Sequence, residues 1–250
     1  MQAGISADLV AESPRPRMAS RDPFSLMGDY RPSPTAMCNV VDQHALEPLE
    51  HDEWVLDTPL IHSFIGSVRG AIERSGSPAE ACRVVEPRFR ALLTSTGWLP
   101  TRFQEDAPES GMGGGIGQWL LFRAAHRSLC LFSLVVPPGA MTPVHDHLAW
   151  GLVGLYKGNQ DEEFYEPGAG RLRLVRRRPL RPGDYYALLP PRDDVHRVRT
   201  TSNVTSVSIH LLANDTGCVV RHTFDEQTGE ARPFRSGYVN AECHGATPLR

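Results

Sequence analysis

The stretch Thr142–Gly158, TPVHDHLAWGLVGLYKG, places two histidines one residue apart within an apolar, strand-like run. In extended chain, side chains at i and i+2 share a face, so His145 and His147 project together and Asp146 points away. Two imidazoles side by side on a buried face are costly if unpaired, because neither is easily protonated beside the other. A divalent metal removes that conflict, since neutral imidazole is a good ligand for iron, zinc, copper or nickel. A bare His-x-His also occurs on exposed strand edges, so the surrounding sequence has to decide.

Outward from this stretch, the chain after Gly113 is a series of short apolar or alternating runs: QWLLF, SLCLFSLVV, WGLVGLY, RLRLVRR, DYYALLP, SVSIHLL and CVVRHTF. Turn-forming pieces such as PPGAM, KGN, PGAG, RPGD and ANDTG punctuate them. Many short strands at close spacing predict an all-β sandwich or barrel. No helix-length segment lies between them, which excludes a parallel βαβ sheet.

Ahead of the strands, Leu60, Ile61, Phe64, Ile65, Val68 and Ile72 recur at helical spacing. A second helix opens at SPAE, with Ser77 as N-cap, Pro78 at the first position and Glu80 closing a capping box. Its apolar set is Val84, Val85, Phe89, Leu92 and Leu93. The first fifty or so residues are rich in Pro, Ser and Arg without periodicity. The expected organisation is a flexible N-terminal arm over 1–55, a helical region packed on the barrel over 56–100, and a barrel carrying the metal site over 101–250.

The 250 residues are 40% hydrophobic and 22% charged, with a formal net charge of −3, as in an ordinary globular protein. That balance gives no electrostatic reason to expect nucleic acid or an anionic membrane as partner. No apolar run approaches the roughly 18–20 residues of a membrane span, and no signal-peptide pattern opens the chain, so a cytoplasmic location is expected. Five scattered cysteines without a CxxC pair argue against a disulfide framework and a structural zinc site. Cys82 and Cys130 read as buried thiols, and no cysteine is given a catalytic role.

The wider pattern around the histidines is informative. Gly139, His145, His147, Gly151 and Gly158 follow the spacing G-x5-H-x-H-x3-4-E-x6-G, with Gly151 where a glutamate would stand. Further on, Pro191, Asp193 and His196 follow P-x-G-x2-H, with Asp193 in place of glycine. These resemble the two motifs of the cupin superfamily, which implies a double-stranded β-helix, a jelly-roll barrel preceded here by helices. The resemblance also makes His145, His147 and His196 the metal ligands. Without a carboxylate ligand the charge of a divalent ion is left uncompensated, which suits an anionic chelating substrate together with dioxygen.

From about Trp98 to Asn240 the chain resembles the thiol dioxygenases, the cupin branch containing cysteine dioxygenase and 3-mercaptopropionate dioxygenase. The resemblance is most specific at TPVHDH-x-x-WG and DVHRV. It implies an Fe(II) site that converts a small thiol and O2 to a sulfinate. The Ser-x-His-x-Tyr run of that family reads Ser208, Ile209, His210, Leu211 and Leu212 here, so serine and histidine match and the tyrosine does not. The positions of the cysteine–tyrosine crosslink of the mammalian cysteine enzymes are Gly151 and Leu212, which cannot form it.

The mercaptopropionate enzymes carry an arginine thirteen residues after that serine, here Arg221, suited to gripping a carboxylate through two parallel hydrogen bonds. The cysteine enzymes place theirs on an early strand, where this chain has Gln118. The expected roles are thus metal binding by His145, His147 and His196, catalysis by Ser208 and His210, and substrate binding by Arg221 and Gln118. Trp150 and Tyr186 read as core or as walls of the cavity. The loss of the phenol at Leu212 leaves room for a related iron oxygenase that cleaves a C–C or C–N bond of its thiol. A non-oxygenase metal cupin and a non-enzymatic sensor or scaffold are also compatible with the sequence.

Overall fold

The structure is a computed structural model and describes residues 46–108, 110, 112–168 and 170–246. The expected arm lies outside the described residues as far as Ala45. Beyond it the chain is already tied to the barrel. The Leu49 N–H donates to the Ala125 carbonyl at 2.8 Å, and β1 (Glu53–Trp54) pairs antiparallel with Phe122 and Arg123.

The two helices form where the sequence capped them. In α1 (Pro59–Arg74) the Thr58 hydroxyl accepts from the Ile61 N–H, and in α2 (Pro78–Thr94) the Ser77 hydroxyl accepts from the Glu80 N–H. The Glu80 carboxylate accepts from the Gly76 N–H, one residue ahead of the cap, rather than from the cap residue itself. Ile61, Phe64, Ile65 and Val68 of α1 are buried, with Val85, Phe89, Leu92 and Leu93 of α2. Leu60 and Val84, expected on the same apolar faces, are exposed: each lies at the margin of a stripe too narrow to cover it.

The strands are β2 (Gly117–Arg123), β3 (Cys130–Val136), β4 (Gly151–Lys157), β5 (Gln160–Gly168), β6 (Arg171–Leu180), β7 (Tyr185–Leu188), β8 (His196–Thr200), β9 (Ser206–Leu212), β10 (Arg221–Phe224) and β11 (Ala231–Phe234). They form a six-stranded sheet in the order β1-β2-β3-β9-β4-β7, a three-stranded sheet β6-β5-β8, and the hairpin β10-β11. This is the expected all-β cupin-type barrel with helices ahead of it. β5 carries the acidic run Asp161–Glu163 and β8 has arginines at alternate positions, which is why neither stands out as an apolar run.

The large sheet is buried on both faces. Along β9, Val207, Ile209 and Leu211 join the core under α1 and α2, while Ser208, His210 and Leu212 face the barrel interior. Phe132 and Leu134 of β3, Val153 and Leu155 of β4, and Phe164 of β5 line that interior. Two positions depart from expectation. The HDH stretch is extended chain held by isolated bridges, His145 to His196 and His145 to Thr223, rather than part of a regular strand. Cys218 and Cys243 are joined in a disulfide, although sequence spacing argued against one; the fold brings the turn after β9 beside the C-terminal segment. Cys82 and Cys130 are buried free thiols, as expected.

Gly151 pairs with Leu212 across β4 and β9, and a Cβ at Gly151 would overlap the Leu211 carbonyl oxygen. The expected outcome for Gly151→Ala is a loss of about 1–3 kcal/mol of stability, because the backbone of β9 has to give way. Thermal unfolding of the two proteins checks this, and an unchanged Tm would contradict it.

Candidate metal centre

His145, His147 and His196 converge from two segments. His145 and His196 exchange backbone hydrogen bonds at 2.9 Å each, which fixes the HDH segment against the start of β8. The ring centroids lie 4.9 Å (His145–His147), 4.9 Å (His145–His196) and 4.7 Å (His147–His196) apart. Potential ligand atoms of the three, one from each residue, lie within 4.8 Å of one another, and all three residues are buried.

Each ring is oriented by a partner at Nδ1. The His145 Nδ1–H donates to the Pro143 carbonyl at 2.9 Å, and His147 Nδ1 lies 3.2 Å from the Asp194 carboxylate and 3.3 Å from its carbonyl. His196 Nδ1 is 2.7 Å from Glu162 Oε2 and 3.2 Å from the Tyr186 hydroxyl. These acceptors set the proton on Nδ1 and leave Nε2 as the free lone pair, the arrangement found around metal-bound histidines. His196 Nε2 is buried and has no hydrogen-bond partner. An orphaned ring nitrogen beside two further buried imidazoles fits a divalent metal.

The electrostatics disfavour protonation of His145 and His147. Burial, the Arg221 charge and the neighbouring His196 and His147 hold His145 well below the ordinary histidine range. Burial, His196 and Arg221 do the same for His147. Asp146 turns away from the rings, as the alternation implied: its carboxylate accepts from the His222 N–H and faces His222 Nδ1, both at 2.7 Å.

The backbone explains the spacing of the motif. Gly139 and Gly158 have φ of +81° and +76°, and Asp193, at the position of the second motif's glycine, has φ of +61°. Asp is among the few residues that occupy this left-handed region at modest cost. The turn therefore survives the substitution, and the following Asp194 is delivered to His147: its carboxylate also accepts from the His147 N–H at 2.9 Å.

The other expected residues lie around this centre. The Ser208 hydroxyl and His210 Nε2 are 3.0 Å apart, His210 stacks on Phe132 with centroids 4.7 Å apart, and its Nδ1 has no partner. Burial, then His147, His196 and Arg221, hold His210 well below its ordinary range. Leu212 is buried in the barrel core. Arg221 is buried and donates to the Thr216 carbonyl (3.1 Å), the Asp146 carbonyl (2.7 Å) and the Ser236 hydroxyl (2.9 Å). Burial pulls its guanidinium down to about 10, still charged at neutral pH.

Gln118 is buried with Nε2 unpartnered, and it lines a cavity of about 510 Å³ together with Met112, Trp119, Ser236 and Tyr238. Ser236, which takes the Arg221 hydrogen bond, lines the same cavity, whereas the three histidines, Ser208, His210 and Arg221 do not. Sequence reasoning missed Glu162 and Asp194, and gave Tyr186 no role toward the metal. The signal for Glu162 was present: Gln160, Glu162 and Phe164 alternate along β5 and all three are fully buried.

No family model matches the chain. Solved structures similar to it include an oxalate decarboxylase in a formate complex from Lactobacillus farciminis, at 14% identity and TM-score 0.30 over 36% of this chain and 25% of that one. The Cupin_2 domain of an XRE family transcriptional regulator from Enterobacter cloacae matches at 19% identity and TM-score 0.30, over 39% of this chain and 94% of that one. A cupin 2 domain-containing protein from Halorhodospira halophila matches at 16% identity and TM-score 0.29, over 43% and 58%. This chain thus covers a quarter of the decarboxylase's length. The likenesses are distant, and the metal reading rests on the histidine geometry.

Two outcomes are expected. The protein should bind one divalent ion per chain, lost in His196→Ala and weakened about 10- to 100-fold in Glu162→Gln, measured by metal analysis and competition with a chelator. Metal-free protein should lose stability as pH falls below about 6.5, since His145, His147 and His210 are depressed in the folded state and the unfolded chain takes up protons first. Each such group contributes up to about 1.4 kcal/mol per pH unit in that window. Asp146 and Asp194, pushed up by burial, act in the opposite sense nearer the carboxylate range. Thermal unfolding between pH 8 and pH 5 of metal-free protein, with a flat profile as the contrary result, checks the sign.

Proposed function

We propose that the chain is a non-haem Fe(II) thiol dioxygenase that oxidises a small carboxylate-bearing thiol, of the 3-mercaptopropionate or cysteine kind, with O2 to a sulfinate. The observation that carries the reading is a centre of three buried, converging imidazoles with no carboxylate among them and a buried guanidinium close by. When bound, ferrous iron would supply open positions for thiolate and dioxygen and the electron density that couples them.

The residues of the chain supply the rest. His145, His147 and His196 hold the ion, and Gly151 leaves its charge free to attract an anionic ligand. Three of the five N–H groups of Arg221 donate to described residues, and the remaining two can serve a substrate carboxylate. Gln118 Nε2, buried without a partner, offers a further donor at the cavity wall. Ser208 and His210 form a neutral hydrogen-bonded pair beside the centre, able to orient a bound ligand without taking up charge. The apolar barrel interior, with Leu212 in place of a phenol, excludes water and leaves orientation to Arg221.

The partner implied is a small-molecule thiol, with no nucleic acid or membrane, in a cytoplasmic setting. Among the described residues no helix is long and apolar enough to cross a membrane.

Oxygen uptake by Fe(II)-loaded protein against 3-mercaptopropionate, L-cysteine, cysteamine and a non-thiol chelating acid tests this, with products followed by mass spectrometry. The expected result is uptake with a carboxylate-bearing thiol and a product heavier by two oxygens, absent in His196→Ala. Arg221→Lys should lower kcat/KM about 10- to 100-fold, since lysine cannot reproduce the bidentate grip. No uptake with any thiol, in protein shown to hold iron, would sink the proposal. A smaller, cleaved product would instead make the chain an iron oxygenase that cleaves a C–C or C–N bond.

A further inference from the structure

The turn Asp215–Cys218 and the segment Ser236–Cys243 lie side by side at one end of the barrel. The Gly237 N–H donates to the Gly217 carbonyl at 2.8 Å, and the Tyr238 hydroxyl donates to Asp215 Oδ1 at 2.9 Å. Asn240 brackets the Leu120 peptide with both halves of its amide, and the Val239 N–H donates to the Gln118 carbonyl. The Cys218–Cys243 disulfide closes this strap.

The two sulfurs sit in different surroundings. Cys218 is fully buried, whereas Cys243 is partly exposed between the exposed Glu242 and His244. The guanidinium of Arg123, itself 1% exposed, places Nη1 3.4 Å from Cys218 Sγ. A disulfide sulfur is a weak acceptor and a thiolate a strong one, so this donor is aimed at a charge that appears only when the bond opens.

Besides Arg123, the cluster holds two carboxylates, Glu53 and Asp215, and a second guanidinium, Arg127. Arg123 Nε lies on Glu53 at 2.6 Å and its Nη2 donates to the Glu242 carbonyl at 2.9 Å. Asp215 faces Arg127 at 2.7 Å and Arg123 at 3.5 Å. The Tyr238 phenol and the Cys130 thiol are both pushed up by burial and stay neutral. A thiolate at Cys218 therefore meets a direct donor in Arg123, while the Asp215 carboxylate that shares this donor is held more closely by Arg127.

We propose that Cys218–Cys243 is a thiol–disulfide exchange site for small thiols, with Cys243 the attacked sulfur and Cys218 the leaving thiolate received by Arg123. In the first step the thiolate of a small thiol bonds to Cys243 Sγ and the Cys218–Cys243 bond breaks, leaving a mixed disulfide on Cys243 and a thiolate at Cys218. A second small thiol then bonds to the first one's sulfur and releases Cys243. The protein gains two electrons and the two small thiols depart as their disulfide; one of their protons ends on Cys243 and the other in solvent. The site stands whether or not the metal centre oxidises thiols.

The test uses the full chain in glutathione buffers of graded reduced-to-oxidised ratio, acid quenching and differential alkylation read by mass spectrometry, with circular dichroism to confirm the fold. The expected result is that folded protein gains two reactive thiols, and that the glutathione adduct sits on Cys243 at least about tenfold more than on Cys218. In reduced protein the thiolate absorbance should titrate below the ordinary thiol value of about 8.5. Cys82 and Cys130, pushed up to about 12 and about 11, add no signal there. Arg123→Lys and Arg123→Gln should each slow reduction on the order of tenfold and move the titration up. Should these variants fail to fold, the adduct position and the titration of the native sequence decide by themselves. A disulfide that stays closed in excess reduced glutathione, an adduct on Cys218, or a thiol titrating at its ordinary value would each overturn the proposal.

Discussion

The arrangement turns on one constraint: three imidazoles must be held buried and pointing at one place. Nothing in their mutual contacts favours this, since His196 and His147 lower the proton affinity of His145, and His196 lowers that of His147. The fold meets the constraint by giving every ring an acceptor at Nδ1 and by locking the two segments together through the paired backbone bonds of His145 and His196. The positive-φ turns at Gly139, Gly158 and Asp193 follow from the same demand, because they aim the chain ends that carry the ligands and their acceptors.

Charge is distributed around the centre rather than within it. The position where a carboxylate ligand would stand is Gly151, so closely paired with β9 that no side chain fits. Negative charge is instead placed behind the ligands, on Glu162 and Asp194, while Arg221 holds a cation nearby. Such a layout strengthens the imidazoles as donors and still leaves the centre attractive to an anion.

The interior sheet and the C-terminal strap solve separate problems. β9 is covered on both faces, so its Ser208–His210 pair is shielded by the helices behind and the barrel in front. The strap packs over the opposite end of β2 through Val239 and Asn240, and reaches Arg221 through Ser236. Its anchoring cluster of Arg123, Asp215, Arg127 and Glu53 gathers residues from the first strand to the turn after β9.

The helix starts, the all-β class and the convergence of three histidines were legible along the chain, because caps, two-residue alternation and histidine spacing are local patterns that burial rewards directly. The sequence could also have shown Glu162, whose alternation with Gln160 and Phe164 marks an inward face, had the acidic composition of β5 not hidden the strand. That Glu162 and Asp194 stand behind their imidazoles, that Cys218 meets Cys243, and that Arg123 points at that sulfur emerge only once the chain is folded. The two contacts of Cys218 join residues 25 and 95 positions apart. Their strength depends on distance, orientation and exclusion of water, none of which a linear pattern contains.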